Sequence, residues 1–407
     1  MNCRHCQAPL TQTFVDLGFA PPSNAYLSEA DLTRPERTYP LKVMVCERCW
    51  LVQTVDYAAA DELFSADYAY FSSTSSGWLA HAARYSETMI ERLKLTRDSF
   101  VIEIACNDGY LLRNFVAKKI PCLGIEPTAS TAAASEALGI PVLREFFGEA
   151  LGQRLAAEGQ QADLIAGNNV YAHVPDINDF TRGLKAALKP AGTITLEFPH
   201  VMRLIEHAQF DTIYHEHFSY LSLYSAQRIF TAVGLRVLDV EELPTHGGSL
   251  RLYGCHADDS RATSPSVDAL LREEERRGLR ARDVYHAFQP RADRIKDDLL
   301  RFLIDTKAAG KTVAAYGAAA KGNTLLNYAG VKPDLLPFVC DAAAAKQGKF
   351  MPGSHVPILA PDVLTARRPD FLLILPWNIE DEIRAAAVPL LDGRTHTLTA
   401  LPTLRVT

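Results

Sequence analysis

Phe100-Val101-Ile102-Glu103-Ile104-Ala105-Cys106-Asn107-Asp108-Gly109 is the stretch on which the fold turns. An apolar run, Phe100–Ala105, leads into a polar loop, and the amphipathic stretch Tyr110–Lys119 follows. A buried strand, a tight turn and a helix in that order open a crossover unit. Three more apolar runs repeat the pattern: Cys122–Glu126, Asp163–Gly167 and Thr193–Phe198, with Asp176–Lys189 as an intervening helix. Strands that alternate with helices predict an α/β layer with a parallel sheet.

Outward from this segment the texture changes twice. Residues 1–66 are rich in Pro and Cys, with short apolar runs and little helical periodicity. From 245 the pattern restarts. A long charged helix is expected over Ser266–Ala308, then strands at Thr312–Tyr316, Leu336–Cys340 and Phe371–Leu375. Three domains are therefore expected, at 1–66, 67–244 and 245–407. No low-complexity linker separates them, so tight packing is expected. The two α/β halves show no obvious sequence repeat.

Bulk composition narrows the function. Hydrophobic residues make up 48% of the 407 residues and the formal net charge is -6, so no basic field is available to grip nucleic acid. Arg272, Arg276, Arg277, Arg280 and Arg282 have Glu273, Glu274 and Glu275 among them, the pattern of a solvated helix face. No apolar run approaches the roughly 20 residues of a membrane span. The N-terminus lacks a signal-peptide core. A cytoplasmic protein with neither nucleic-acid nor membrane partners is expected.

Cys3-x-x-Cys6 and Cys46-x-x-Cys49 form two knuckles. Each spacing lets one turn aim two sulfurs at a single ion, and two turns complete a closed tetrahedral thiolate set, which suits structural Zn2+. His5 lies between two of the ligands and is a competing donor. Cys106, Cys122, Cys255 and Cys340 sit among apolar neighbours and read as small core residues.

The Glu103–Gly109 loop lies where a doubly wound sheet binds its ligand, at the carboxyl ends of the strands. Glu126 ends the next strand, and a carboxylate there accepts hydrogen bonds from both hydroxyls of a ribose. A dinucleotide loop carries three glycines for its pyrophosphate turn. Ala105 and Asn107 replace the first two here, and Gly109 remains. A phosphate-free nucleoside such as S-adenosylmethionine fits this loop better. Asn168 and Asn169 end another strand at the same edge, and their amides suit the adenine or the amino-acid end of that ligand. The competing reading is a structural turn with Asp108 as a helix cap.

Tyr214-His215-Glu216-His217-Phe218-Ser219-Tyr220 is the densest cluster of reactive groups. Methylating carbon requires a carbanion or enolate, hence a base that removes a proton beside a carbonyl. Imidazole suits that task at neutral pH. A phenol or second imidazole would hydrogen-bond the enolate oxygen. The same residues allow a metal site of His215, Glu216 and His217, or a set of interdomain hydrogen bonds, and composition leaves all three open.

With these residues assembled, the chain resembles the zinc-containing sugar C-methyltransferases of bacterial deoxysugar pathways. The resemblance runs in order over nearly the whole chain. It takes in both Cys knuckles, Pro21-Pro22-Ser23-Asn24, Tyr68-Ala69-Tyr70-Phe71-Ser72-Ser73, Glu103–Leu111 and Gly124-Ile125-Glu126-Pro127. It continues through Asn168-Asn169-Val170, His173-Val174-Pro175-Asp176, Glu197-Phe198-Pro199-His200 and Tyr214–Tyr220. It ends with His246-Gly247-Gly248-Ser249-Leu250-Arg251, Tyr316–Asn323 and Pro376-Trp377-Asn378.

The resemblance implies a class I methyltransferase domain with a Rossmann-like fold, flanked by an N-terminal zinc-binding domain and a smaller C-terminal Rossmann-like domain. It implies S-adenosylmethionine as donor and a nucleotide-linked keto sugar as acceptor, typically a dTDP-4-keto-6-deoxyhexose methylated at C3. Cys3, Cys6, Cys46 and Cys49 would hold zinc. Glu103, Ala105, Asn107, Gly109, Glu126, Asn168 and Asn169 would line the donor site. His217 would be the general base, with Tyr214, Glu216, His173 and Tyr68 around the sugar. Tyr70, Lys321 and Asn323 would bind substrate, the last two from a Gly317–Asn323 loop suited to phosphate. The chain departs from the family at Ala342–Ala345, where an Asn-Pro-type turn usually precedes Lys346-Gln347-Gly348. A monomer is expected. Two other readings are a nucleotide-sugar epimerase or dehydrogenase using nicotinamide, and a non-catalytic nucleotide-sugar-binding protein.

Overall fold

The N-terminal sheet begins with β1 (Gln12–Ala20), β2 (Tyr39–Val45) and β3 (Val52–Thr54), all antiparallel. In β2 burial alternates along the strand, with Leu41, Val43 and Val45 turned inward, as a sheet with one wet face requires. The computed structural model describes residues 1–55, 71–391 and 393–407, so Tyr68 and Tyr70 lie outside the described residues.

The central strands are β4 (Val101–Ile104), β5 (Cys122–Ile125), β6 (Val142–Leu143), β7 (Ala162–Asn168) and β8 (Leu188–Pro199). Then come β9 (Ser219–Tyr220), β10 (Leu235–Leu243) and β11 (Ser249–His256). β9 leaves the central layer and pairs with β3, so the N-terminal sheet has the order β1-β2-β3-β9. The central sheet has the order β10-β11-β8-β7-β4-β5-β6. All four residues of β4 and of β5 are buried, because helices cover both faces. The sheet reaches past residue 244, which lies in the turn of the antiparallel β10–β11 hairpin.

The C-terminal sheet comprises β12 (Val313–Tyr316), β13 (Val339–Cys340), β14 (Ile358–Leu359), β15 (Phe371–Ile374), β16 (His396–Thr399) and β17 (Arg405–Val406). Its order is β14-β13-β12-β15-β16-β17. Strand order reverses beside β4 in the central sheet and beside β12 in this one. Loops at such switch points are where doubly wound sheets bind ligands.

Helices cap and pack as their sequences require. In Ile177–Ala187, Ile177, Phe180, Leu184 and Ala187 form one buried stripe, and the Asp176 carboxylate accepts the Asp179 N–H at 2.9 Å. The expected single helix over Ser266–Ala308 is instead three: Pro265–Arg276, Arg282–His286 and Phe288–Ala308. Gly278 stops the first, taking a left-handed φ of 81° that suits glycine. One apolar core runs from Cys3 in the first knuckle through the central sheet to Leu401, so the three parts share an interior.

Candidate active site

The four knuckle sulfurs lie within 4.8 Å of one another. The Cys3–Cys49 and Cys6–Cys46 pairs are each 3.5 Å apart. Four sulfurs about 2.3 Å from one zinc ion would be spaced at roughly 3.8 Å, so the set fits that ion. A closed set of four leaves no open position, which makes the site structural. His5 is not part of it. Its Nδ1 lies 2.8 Å from the Asn178 side-chain oxygen, on the central domain. The Gln53 amide donates to the Cys3 sulfur at 3.2 Å. Thr54, the next residue on β3, donates its hydroxyl to the His217 carbonyl at 2.7 Å. The knuckles thus brace the segment that carries His217.

At the donor edge, Glu103 lies on β4, and Ala105, Asn107 and Gly109 take positive φ of 56°, 50° and 78° to turn the loop tightly. A Cβ on Gly109 would stand 2.6 Å from Ile140, so the close fit there needs glycine. Glu126 follows β5. Its two oxygens accept the Asn107 N–H at 3.0 Å and the Thr128 N–H at 2.9 Å. Both bonds hold the carboxylate at the sheet edge. Burial pushes the Glu103 carboxyl well above its ordinary range. The Asn107 and Asp108 side chains accept N–H bonds from Ser72 at 2.9 Å and Ser73 at 3.0 Å, which closes one side of the loop.

Asn168 ends β7, and both polar atoms of its side chain are buried without a hydrogen-bond partner among the described residues. Buried amides of that kind await a ligand or water. Asn169 has φ 54°, its N–H held by the Glu197 carbonyl at 2.7 Å and its amide 3.0 Å from His246 Nε2. Glu103, Asn107, Glu126, Asn168 and Asn169 therefore share one sheet edge, as expected.

The Tyr214–Tyr220 segment joins that edge. His217 Nδ1 lies 2.8 Å from the Thr212 carbonyl oxygen. A carbonyl only accepts, so Nδ1 carries the proton and Nε2 keeps its lone pair. The His217 ring sits 4.0 Å from that of Tyr214 and 4.5 Å from that of His173, between centroids. Burial holds His217 well below 6.5, and His173, Lys321 and His246 push it the same way. Burial also lowers His173 to about 4. Glu216 is fully enclosed and accepts both bonds from the Asn24 amide, at 2.8 and 2.9 Å. His215 turns away against Tyr39 on β2. His215, Glu216 and His217 thus diverge, and the Cys quartet is the one metal-type group among the described residues.

At the second switch point, the helix Ala320–Tyr328 begins just after β12. Asp341 follows β13 and accepts the Ala318 N–H at 2.7 Å and the Ala343 N–H at 2.8 Å. Glu126 binds its own loop in the same way, so the two halves share a carboxylate clamp without sharing sequence. The Ala342–Ala345 turn forms without the Asn-Pro pattern, closed by Gln347 donating to the Asp341 carbonyl at 2.9 Å. Asn323 donates to the Ser23 carbonyl at 2.6 Å, and its side-chain oxygen is buried without a hydrogen-bond partner among the described residues.

Comparison with known proteins matches all three parts. A family model described as "Methyltransferase domain" covers residues 78–240, and "C-methyltransferase C-terminal domain" covers 244–402. "Putative zinc binding domain" covers 3–64. Over 405 residues the chain is 33% identical to the C-methyltransferase NovU of Streptomyces niveus, spanning 100% of this chain and 96% of that protein. The chain belongs to this C-methyltransferase family. Among solved structures, the PH0226 protein of Pyrococcus horikoshii OT3 aligns with TM-score 0.38 and 10% identity over 49% of this chain and 99% of that one. The magnesium protoporphyrin IX methyltransferase of Synechocystis PCC 6803, with S-adenosylmethionine bound, aligns with TM-score 0.33 and 12% identity over 44% of this chain and 81% of that one.

This C-methyltransferase is S-adenosylmethionine-dependent, and its fold unites a Rossmann-like methyltransferase domain with a four-cysteine zinc-binding domain and a further C-terminal sheet domain. No helix among the described residues is long and apolar enough to cross a membrane. The unpaired Asn168 amide and the clamped Glu126 carboxylate fit the donor nucleoside. Several residues of the candidate site carried no role in the sequence reading: Asn24 on Glu216, Thr54 and Thr212 on His217, and His246 on Asn169. Asn24 and His246 lie in stretches already singled out. The Thr212 carbonyl carries no sequence signal.

Proposed function

We propose that the enzyme methylates the carbon beside the ketone of a nucleotide-linked 4-keto-deoxysugar, C3 of a dTDP-linked hexose being the expected position. The observation that carries this reading is the His217 ring, held with Nδ1 protonated and Nε2 free beside Tyr214 and His173. Nε2 takes the proton from the carbon next to the ketone and leaves an enolate. The enolate carbon then takes the methyl group. One C–C bond forms, one S–C bond breaks, and the sulfonium becomes the thioether of S-adenosylhomocysteine. His217 afterwards releases its proton to solvent.

Other residues position the sugar. Tyr214 and His173 flank the reacting carbon, and the family resemblance assigns Tyr68 and Tyr70 to the sugar. Glu216, fixed by Asn24, accepts from a sugar hydroxyl or amine. The loop after β12, with its clamped Ala318 and the helix start at Ala320, receives the nucleotide, while Asn323 shapes that side through Ser23. The three domains, 1–66, 67–244 and 245–407, would supply metal bracing, donor and nucleotide binding respectively.

The test is incubation with S-adenosylmethionine and a panel of dTDP-, UDP- and GDP-linked 4-keto-6-deoxysugars, read by mass spectrometry and NMR. A new C-methyl signal beside the ketone is expected. Methylation on oxygen or nitrogen would refute the carbon reaction.

A further inference from the structure

Lys321 opens the helix Ala320–Tyr328, and its ammonium is built into a cage. Nζ donates to Asn378 at 2.7 Å and lies 4.7 Å from the centroid of the Trp377 ring. The Trp377 indole N–H donates to Asp211 at 2.8 Å. One turn along the same helix, Thr324 donates to the Ile213 carbonyl at 2.8 Å. Between those anchors lies Thr212, whose carbonyl holds the His217 ring. Lys321 and His217 therefore flank the same short segment, 211–213. The charge of Lys321 is felt at His217, His246 and Asp211.

An ammonium has three donor hydrogens. Asn378 takes one, and it is the one hydrogen-bond partner of Lys321 among the described residues. Asp211 is the nearby anion, fully buried, with its pKa pushed up to about 6 by burial although Lys321 pulls it down. His217, His173 and His246 are all held neutral by burial at neutral pH. Lys321 is thus the cation beside a site in which an enolate would develop negative charge.

We propose that the Lys321 ammonium stabilises the enolate oxygen of the acceptor and does not serve as a ligand of its diphosphate. This rests on the keto-sugar reading above. Burial draws Lys321 down to about 8, against the pull of Asp211. It therefore carries its proton at neutral pH and loses it as pH rises through that value. His217, His173, His246 and Asp211 face the same region, and each titrates lower.

The experiment separates enolate formation from nucleotide binding. Exchange of the α-proton of a dTDP-4-keto-6-deoxysugar with deuterated water is followed by NMR at saturating sugar. Affinity for dTDP alone is measured by calorimetry. Lys321→Met should slow exchange by about 100-fold or more, the usual cost of one oxyanion donor, with dTDP affinity unchanged. In wild type, exchange should decline above pH 8, and Lys321→Arg should move that decline upward. Unchanged exchange with weakened dTDP binding would assign Lys321 to the diphosphate and overturn the proposal. If Lys321→Met loses both, Asn378→Ala decides, because it frees the ammonium while keeping its charge. Slower exchange with intact dTDP binding supports the proposal, and any other pattern overturns it. Absence of exchange in wild type would instead refute the keto-sugar reading itself.

Discussion

Asn24 and Glu216 are 192 positions apart in the chain, yet the Asn24 amide donates to both oxygens of the Glu216 carboxylate. Asn323 in turn holds the carbonyl of Ser23. One short chain of bonds therefore ties the N-terminal segment, the acceptor segment and the C-terminal helix together. Hydrogen bonds to a buried charge contribute about 1.5–3 kcal/mol. Asn24→Ala should lower kcat/KM for the acceptor by roughly 10- to 100-fold. S-adenosylmethionine affinity, measured by calorimetry, should hold. Loss of both would mean that Asn24 supports the fold at large.

Glu126 is fixed at the sheet edge by two backbone N–H groups, one on each oxygen. Removing a charged acceptor of two hydroxyls costs on the order of 3 kcal/mol, about 100-fold in affinity. Glu126→Ala should weaken S-adenosylhomocysteine binding by that order and leave dTDP binding intact. Equal affinity for S-adenosylhomocysteine would place the ribose elsewhere.

The zinc knuckles are far from the donor loop in sequence but near His217 through β3. Metal analysis should find one zinc ion per chain. Cys46→Ser or chelation should release it, lower the melting temperature and reduce activity, because Gln53 and Thr54 lose their anchor. An active, equally stable zinc-free chain would contradict this bracing role.

The pH profile carries a sign. The base works when neutral, so activity is lost as pH falls through its folded pKa. Burial holds His217 well below 6.5. Exchange of the α-proton should therefore stay flat from pH 7.5 down past 6.5, where an unperturbed imidazole would already be half protonated. A midpoint at 6.5 or higher would show that a different or solvated group is the base.

What the sequence made legible was local. The run Phe100–Ala105 became β4, and Asp163–Gly167 became the heart of β7, because strands covered on both faces are dominated by apolar residues, with Glu103 the buried exception in β4. The Cys knuckles were readable from a two-residue spacing. What escaped depended on distant partners. Ser249–His256 follows the boundary expected at 245, and its pairing with β8, which extends the central sheet across that boundary, carries no local signal. Glu274 looked like part of a solvated face beside Arg276 and Arg277. It is buried, and accepts the Leu223 and Tyr224 N–H groups at 2.6 and 2.9 Å while bonding His200 at 2.8 Å. Its neighbour Glu273 does pair with those arginines at the surface. Periodicity could not separate the two glutamates, because the helix that Glu274 caps lies 50 residues away.

The most direct measurement is α-proton exchange of a dTDP-4-keto-6-deoxysugar in deuterated water with S-adenosylhomocysteine present, comparing wild type with His217→Asn. Asparagine keeps a polar group in place but offers no basic nitrogen. Loss of a general base costs about 100- to 10,000-fold, so exchange should fall by that range while both ligands still bind. Exchange at the wild-type rate in His217→Asn would contradict the central claim.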